Sequence, residues 1–266
     1  SGLAAKTYAA VALQRVGVPL DGRVALAFVP DEETGGARGS GFLSAIGRLG
    51  REGIGMLTPE PTSGVVCNAN RGAITLRVTV RGRQAHVGLM HQGRNAFEDA
   101  IRVVAALQRL RRRVGRRHTR YRLVPAAARR KQMHKGAERE ALFDVFAQAR
   151  RQGIDLDVEV LQEGQPSGSD EATPLGRALR DQVKAVTGRA PRFEMCPGLL
   201  EIRFYAARGM PAYAYGPGPL AVSHGPREFV RIDRLVECAA IYARTAATLL
   251  APARAPVGGR RPRRDE

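Results

Sequence analysis

Hydrophobic and polar positions fall into two kinds of rhythm along the chain. Residues 24–29 (Val24, Ala25, Leu26, Ala27, Phe28, Val29) form an unbroken apolar run closed by Pro30. A run without alternation predicts a strand buried on both faces, the kind found in parallel sheets. Residues 72–81 alternate strictly instead, with Ile74, Leu76, Val78 and Val80 on one face and Thr75, Arg77, Thr79 and Arg81 on the other. That pattern predicts a strand with one wet face in a separate, antiparallel sheet. Helical spacing covers residues 3–16, 39–49, 96–110, 137–151, 173–187, 201–208 and 233–250, with Gly17 and Gly188 as stops. Shorter strands are expected at 54–57, 154–161 and 212–215. The order predicts an α/β domain built from residues 1–70 and 166–250, interrupted by a small α+β layer at residues 71–165. No internal repeat is visible.

Composition changes this picture in three places. No stretch approaches the roughly 18 uninterrupted apolar residues of a membrane span, and no signal-peptide pattern is expected. Three cysteines, Cys67, Cys196 and Cys238, leave one unpaired in any disulfide scheme and lack metal-binding spacing, which predicts free thiols and a cytoplasmic setting. The net charge of +18 is concentrated in residues 109–135, which carry Arg111, Arg112, Arg113, Arg116, Arg117, Arg129, Arg130 and Lys131 and no acid. Such a run is a nucleic-acid or anionic-surface patch, a solvated segment, or a degenerate one. Tyr121 is its only aromatic residue, which argues against stacking on bases. The Pro-, Gly- and Arg-rich residues 251–266 predict a disordered basic tail.

Candidate chemistry sits where the apolar run ends. Asp31, Glu32 and Glu33 crowd three acids at one strand tip before Gly35 and Gly36. Self-repulsion there is relieved by a cation, a basic partner or water, so the tip is a candidate metal site; a solvated loop leading into the next helix is the plain alternative. Glu60 stands between Pro59 and Pro61, which limit the backbone freedom of its presentation.

The tip, the Pro59-Glu60-Pro61-Thr62 segment, Gly82-Arg83-Gln84-Ala85-His86 with Gly93-Arg94-Asn95-Ala96, and Ser223-His224-Gly225-Pro226 follow one another in an order that resembles the M20 metallopeptidases and deacylases. The resemblance implies a zinc-exopeptidase-like α/β domain with an inserted ferredoxin-like dimerisation domain at residues 71–165, and hence a homodimer. It implies two zinc ions, with cobalt or manganese as substitutes, cleaving the amide of an N-acyl amino acid or peptide. Glu32 then serves as general base, Glu33, Glu60 and His224 as metal ligands, His86 as the group that steadies the oxyanion, and Asn95 and Arg203 as substrate contacts. By itself, a histidine placed like His86 is more often structural.

The first histidine of this chain is His86, whereas the family carries a His-x-Asp motif and a bridging aspartate ahead of the first helix. The expectation is therefore a fragment or degenerate copy with weak or no activity. A non-catalytic binding protein on the same fold is the main alternative, and an anionic-surface or nucleic-acid binder the lesser one.

Overall fold

A computed structural model describes residues 1–50, 52–114 and 137–252. The arginine run from 115 onward and the basic tail lie outside the described residues for the most part. Seven helices and seven strands are described: α1 (Gly2–Val16), α2 (Ser40–Ala45), β1 (Met56–Thr58), β2 (Val66–Asn70), β3 (Ala73–Val80), α3 (Ala96–Val114), α4 (Ala137–Arg151), β4 (Leu156–Gly164), β5 (Ser167–Gly168), α5 (Pro174–Thr187), β6 (Phe193–Cys196), α6 (Ile202–Ala206), β7 (Ala212–Ala214) and α7 (Ile232–Leu249).

The larger sheet runs β1-β7-β2-β5, with β6 also on β2. It is mixed: β1 lies parallel to β7 and β2 parallel to β6, while β2 meets β7 and β5 antiparallel. Helix spacing explains how its faces are covered. Buried Leu175, Ala178, Leu179 and Val183 form one stripe of α5, and Cys238, Ile241, Tyr242 and Thr245 one stripe of α7. With Ala5 and Ala9 of α1 they pack on one face of the sheet around Val66, Tyr213 and Tyr215. The opposite face is closed by Leu49, Leu200, Ile202, Tyr205 and Met210. Thr173 caps α5 through Gly176 N–H at 3.0 Å, and Gly17 and Gly188 end α1 and α5 in left-handed conformation.

The second sheet is the antiparallel pair β3–β4, with Val103, Phe146 and Ile154 packed beneath Leu76, Val78 and Val80. The polar face predicted for residues 74–80 is present, and Arg77 meets Glu159 across the strands at 2.7 Å.

Two departures from the sequence reading matter. Residues 24–29 are not a buried strand: they belong to no regular element, make no backbone–backbone hydrogen bond among the described residues, and Val24 and Phe28 are 41% and 54% exposed. Their apolarity encodes burial between neighbours, and no described strand lies beside them. Conversely, β2 and β6 were not expected. In β2 the apolar signal is broken by Asn68 and Asn70, whose buried amides are satisfied by Ser169 C=O at 3.1 Å and Arg71 C=O at 2.7 Å. A buried strand with internally bonded polar residues looks like loop sequence.

Candidate active site

The acidic tip is built by backbone bonds. Asp31 C=O accepts from Gly36 N–H at 2.8 Å, its carboxylate accepts from Arg38 N–H at 2.7 Å, and Glu32–Thr34 form a single 3₁₀ turn. Gly36 has to be glycine: its φ is +65°, and a Cβ there would lie 2.6 Å from Glu201 Oε1. Glu60 is seated by a similar close approach. The chain at Gly216 crosses so near that a Cβ would stand 2.4 Å from Pro59 and Glu60 carbonyls, and Tyr215 N–H bonds Thr58 C=O at 3.0 Å. His224 follows a short turn with φ +61°, and its N–H donates to Glu228 at 2.9 Å.

These loops bring Glu33 and His224, distant in sequence, to 3.8 Å between Oε2 and Nε2, both side chains 75% exposed. Zinc bonds of about 2.0–2.2 Å to nitrogen and oxygen let one ion bridge that gap. Glu60 lies at the same end, close enough to feel Glu32 and Glu33, but it does not complete a group. Among the described residues, no three His, Cys, Asp or Glu side chains are arranged to hold an ion.

Three carboxyls in this region resist ionisation, chiefly through burial. Burial pushes the Glu60 carboxyl up to about 8, with Glu32 as the next cause. Burial, then Glu33, raises Glu32, and burial raises Glu201 against the opposing hydrogen bond from Ser40 Oγ at 2.8 Å. The approach of Glu33 to His224 fits a metal held by that pair, one protein ligand short of a catalytic zinc site, with Glu60 electrostatically near.

The raised carboxyl of Glu60 has a consequence for the metal-free chain. Between the ordinary Glu value near 4.5 and about 8, the folded protein keeps a proton that the unfolded chain has released, so stability falls as pH rises through that window. The loss is of the order of a few kcal/mol at about 1.4 kcal/mol per pKa unit. Glu60→Gln is expected to raise Tm more at pH 9 than at pH 5 in chelator-treated protein. Equal gains at both pH values would contradict the burial of an ionisable Glu60.

The other predicted residues are placed differently. Arg203 is 7% exposed and works internally: its guanidinium donates to Leu200 C=O at 2.7 Å and to Gly35 C=O, and stacks 4.2 Å from the Phe204 ring. It ties α6 to the acidic tip. Asn95 is exposed and accepts from Phe97 N–H at 3.0 Å at the start of α3. His86 is exposed and accepts from Gly88 N–H at 3.1 Å through Nδ1; it shares no hydrogen bond or ion pair with the acid cluster.

Four site residues escaped the sequence reading. Among the described residues, Glu201 is buried with Oε1 unpartnered, and Arg71 has buried Nε and Nη2 without an acceptor. Cys196 lies near both Arg71 and Glu60, hydrogen-bonded to Cys67, and all three cysteines are free. Lys6, half-buried on α1, donates to Ala27 C=O at 3.1 Å and faces Glu201 and Glu60. Its signal was a cation in the middle of an alanine-rich helix. Nothing local distinguished Arg71 or Cys196.

The model for peptidase family M20/M25/M40 matches residues 1–248. A peptidase M20 domain-containing protein of Schizosaccharomyces pombe is 24% identical over 252 residues, covering 89% of this chain and 58% of that protein. The succinyl-diaminopimelate desuccinylase of Bordetella petrii is 25% identical over 261 residues, covering 87% of this chain and 67% of the enzyme. Among solved structures, the YXEP protein of Bacillus subtilis, a dinuclear metal-binding peptidase of the M20 family, superposes with a TM-score of 0.57 at 16% identity, over 92% of this chain and 70% of that one. The chain thus spans little more than half the length of the yeast relative.

Proposed function

This chain belongs to peptidase family M20/M25/M40, and from that premise we propose that it is a metal-dependent amide hydrolase acting on N-acyl amino acids or short peptides, with a weakly held metal. The 3.8 Å approach of Glu33, next to Glu32 in sequence, to His224 carries the proposal. Glu33 and His224 would hold the zinc ion, which would supply polarisation of the scissile carbonyl and acidification of water. Glu32, whose carboxyl is raised by burial, takes a proton from the attacking water and delivers it to the leaving amine. Arg71, holding two buried donors without a protein acceptor, binds a substrate carboxylate in two-pronged fashion. His86 and Asn95 lie in the residue 71–165 unit, which we assign as an inserted lid. Its partner surface is the stripe Phe97, Ile101 and Val104, which is 74%, 52% and 51% exposed, and a homodimer pairs through it.

Weak metal retention follows from ligand number. Catalytic zinc takes three protein ligands, and the described residues offer a pair. Titration calorimetry with zinc is expected to give a weak, saturable isotherm that His224→Ala abolishes. An isotherm unchanged by that substitution would place the metal elsewhere. Turnover of N-acetyl amino acids is expected only in excess zinc or cobalt; its absence at every metal concentration supports instead a binding protein on the same fold.

A further inference from the structure

Strand β4 breaks its own alternation. Leu156 and Val158 pack into the core beneath β3, and strict alternation would carry Val160 and then Gln162 onto that same apolar face. A bulge prevents it. Leu76 pairs with Val160 but Thr75 pairs with Gln162, so Leu161 is an extra residue and Gln162 is moved to the polar face that it shares with Thr75.

That face meets the acidic tip. The Gln162 side chain lies across Gly35, where a Cβ would stand 2.8 Å from Gln162 Cδ and 2.9 Å from its Cγ. Gly35 admits so close an approach because it has no side chain, and its φ of +98° favours glycine independently. A reverse contact lies two residues further along β4. A Cβ at Gly164 would stand 2.6 Å from both methyl carbons of Leu199. Each unit thus presses one side chain onto a glycine of the other: Gln162 onto Gly35, Leu199 onto Gly164. Arg203 ties the two contacts together, donating to Gly35 C=O and, at 2.7 Å, to Leu200 C=O beside Leu199. Gly35 N–H in turn donates to Glu32 C=O at 2.9 Å. Among the described residues the Gln162 amide makes no hydrogen bond, so its contact with the tip is one of shape.

From this ring of contacts we infer that Gln162 is a positioning residue: its side chain seats the 71–165 unit on the acidic tip and steadies the turn that carries Glu32 and Glu33. Without it, Gly35 keeps Arg203 on its carbonyl but loses the group packed on its Cα. The single turn that presents both glutamates then gains freedom. The effect of Gln162 on rate rests on the hydrolase reading; its effect on the tip does not.

Two substitutions in the full chain test this. Gln162→Ala removes the side chain, whereas Gln162→Met keeps its length without the amide. In hydrogen exchange without metal, Gly35 and Gly36 N–H, bonded to the carbonyls of Glu32 and Asp31, are expected to exchange about tenfold faster in Gln162→Ala. Gln162→Met should stay near the parent rate, and α5 and α7 should be unchanged in both. In excess zinc, Gln162→Ala is expected to lower kcat for an N-acetyl amino acid about tenfold with KM within about twofold, and Gln162→Met to restore it. Unchanged exchange at the tip in Gln162→Ala overturns the proposal. So does a Gln162→Met chain as impaired as Gln162→Ala, or a rise in KM at constant kcat, either of which makes the amide a substrate contact. Faster exchange throughout both units also overturns it, because the side chain would then serve stability alone. Should the parent chain itself turn over no substrate, the hydrolase reading falls and the exchange measurement decides the role of Gln162 by itself.

Discussion

Replacing Glu32 by Gln is expected to lower hydrolysis of an N-acyl amino acid by about 10²–10⁴-fold in excess zinc, the range supplied by a positioned general base. Gln keeps the shape and hydrogen-bonding reach of the side chain but cannot accept the proton of water. Zinc affinity should change little, since Glu33 and His224 form the pair that spans 3.8 Å. Glu33→Gln should do the reverse, weakening the zinc isotherm first and turnover as a result. Parallel titrations and kcat measurements on the two variants separate the roles. Equal losses of metal binding in both would mean that the adjacent glutamates do not divide the work.

The largest stability effect is expected at Arg203. Its buried guanidinium satisfies the carbonyls of Gly35 and Leu200 and is the main cation near Glu201, Glu32 and Asp31. Arg203→Met removes two charge-assisted hydrogen bonds from the carbonyls of Leu200 and Gly35 and takes the cation from beside Glu201, a change that costs about 3–5 kcal/mol. For a chain of this size that is roughly a 10 °C fall in Tm. Arg203→Lys keeps the charge without the fork and should recover only part of it. Thermal denaturation of both variants gives the answer, and a shift within about 2 °C for Arg203→Met would show that the acidic tip stands without this tether. The substrate-contact role that the family resemblance implies for Arg203 is therefore joined to a structural one, because its donors are already engaged by protein carbonyls.

Local regularities were legible wherever they were self-contained. The alternation of residues 73–80 marks a strand whatever it pairs with, and the 3.6-residue stripes of α5 and α7 mark their buried faces. Glycine stops carried their own conformational reason. The tip acids, Glu60 and His224 were identifiable as candidates, and the fold draws Glu33 and His224 together. Asn95 and His86 were identifiable too, yet here their hydrogen bonds serve local turns. What stayed hidden depended on neighbours. Strand β2 carries asparagines that read as loop until Ser167, Ser169 and Arg71 supply their partners.

The sequence by itself determined the helices, the half-wet antiparallel strand β3 and the family, because periodicity, capping and motif order are properties of consecutive residues. Only the tertiary structure decided which polar groups are buried without partners. Glu201, Arg71 and the carboxyl of Glu60 owe their character to groups from other segments, and desolvation has no local signature. Residues 24–29 make the same point from the other side. Their composition specifies a strand packed on both flanks, but packing needs partners, and Val24 and Phe28 stay exposed here.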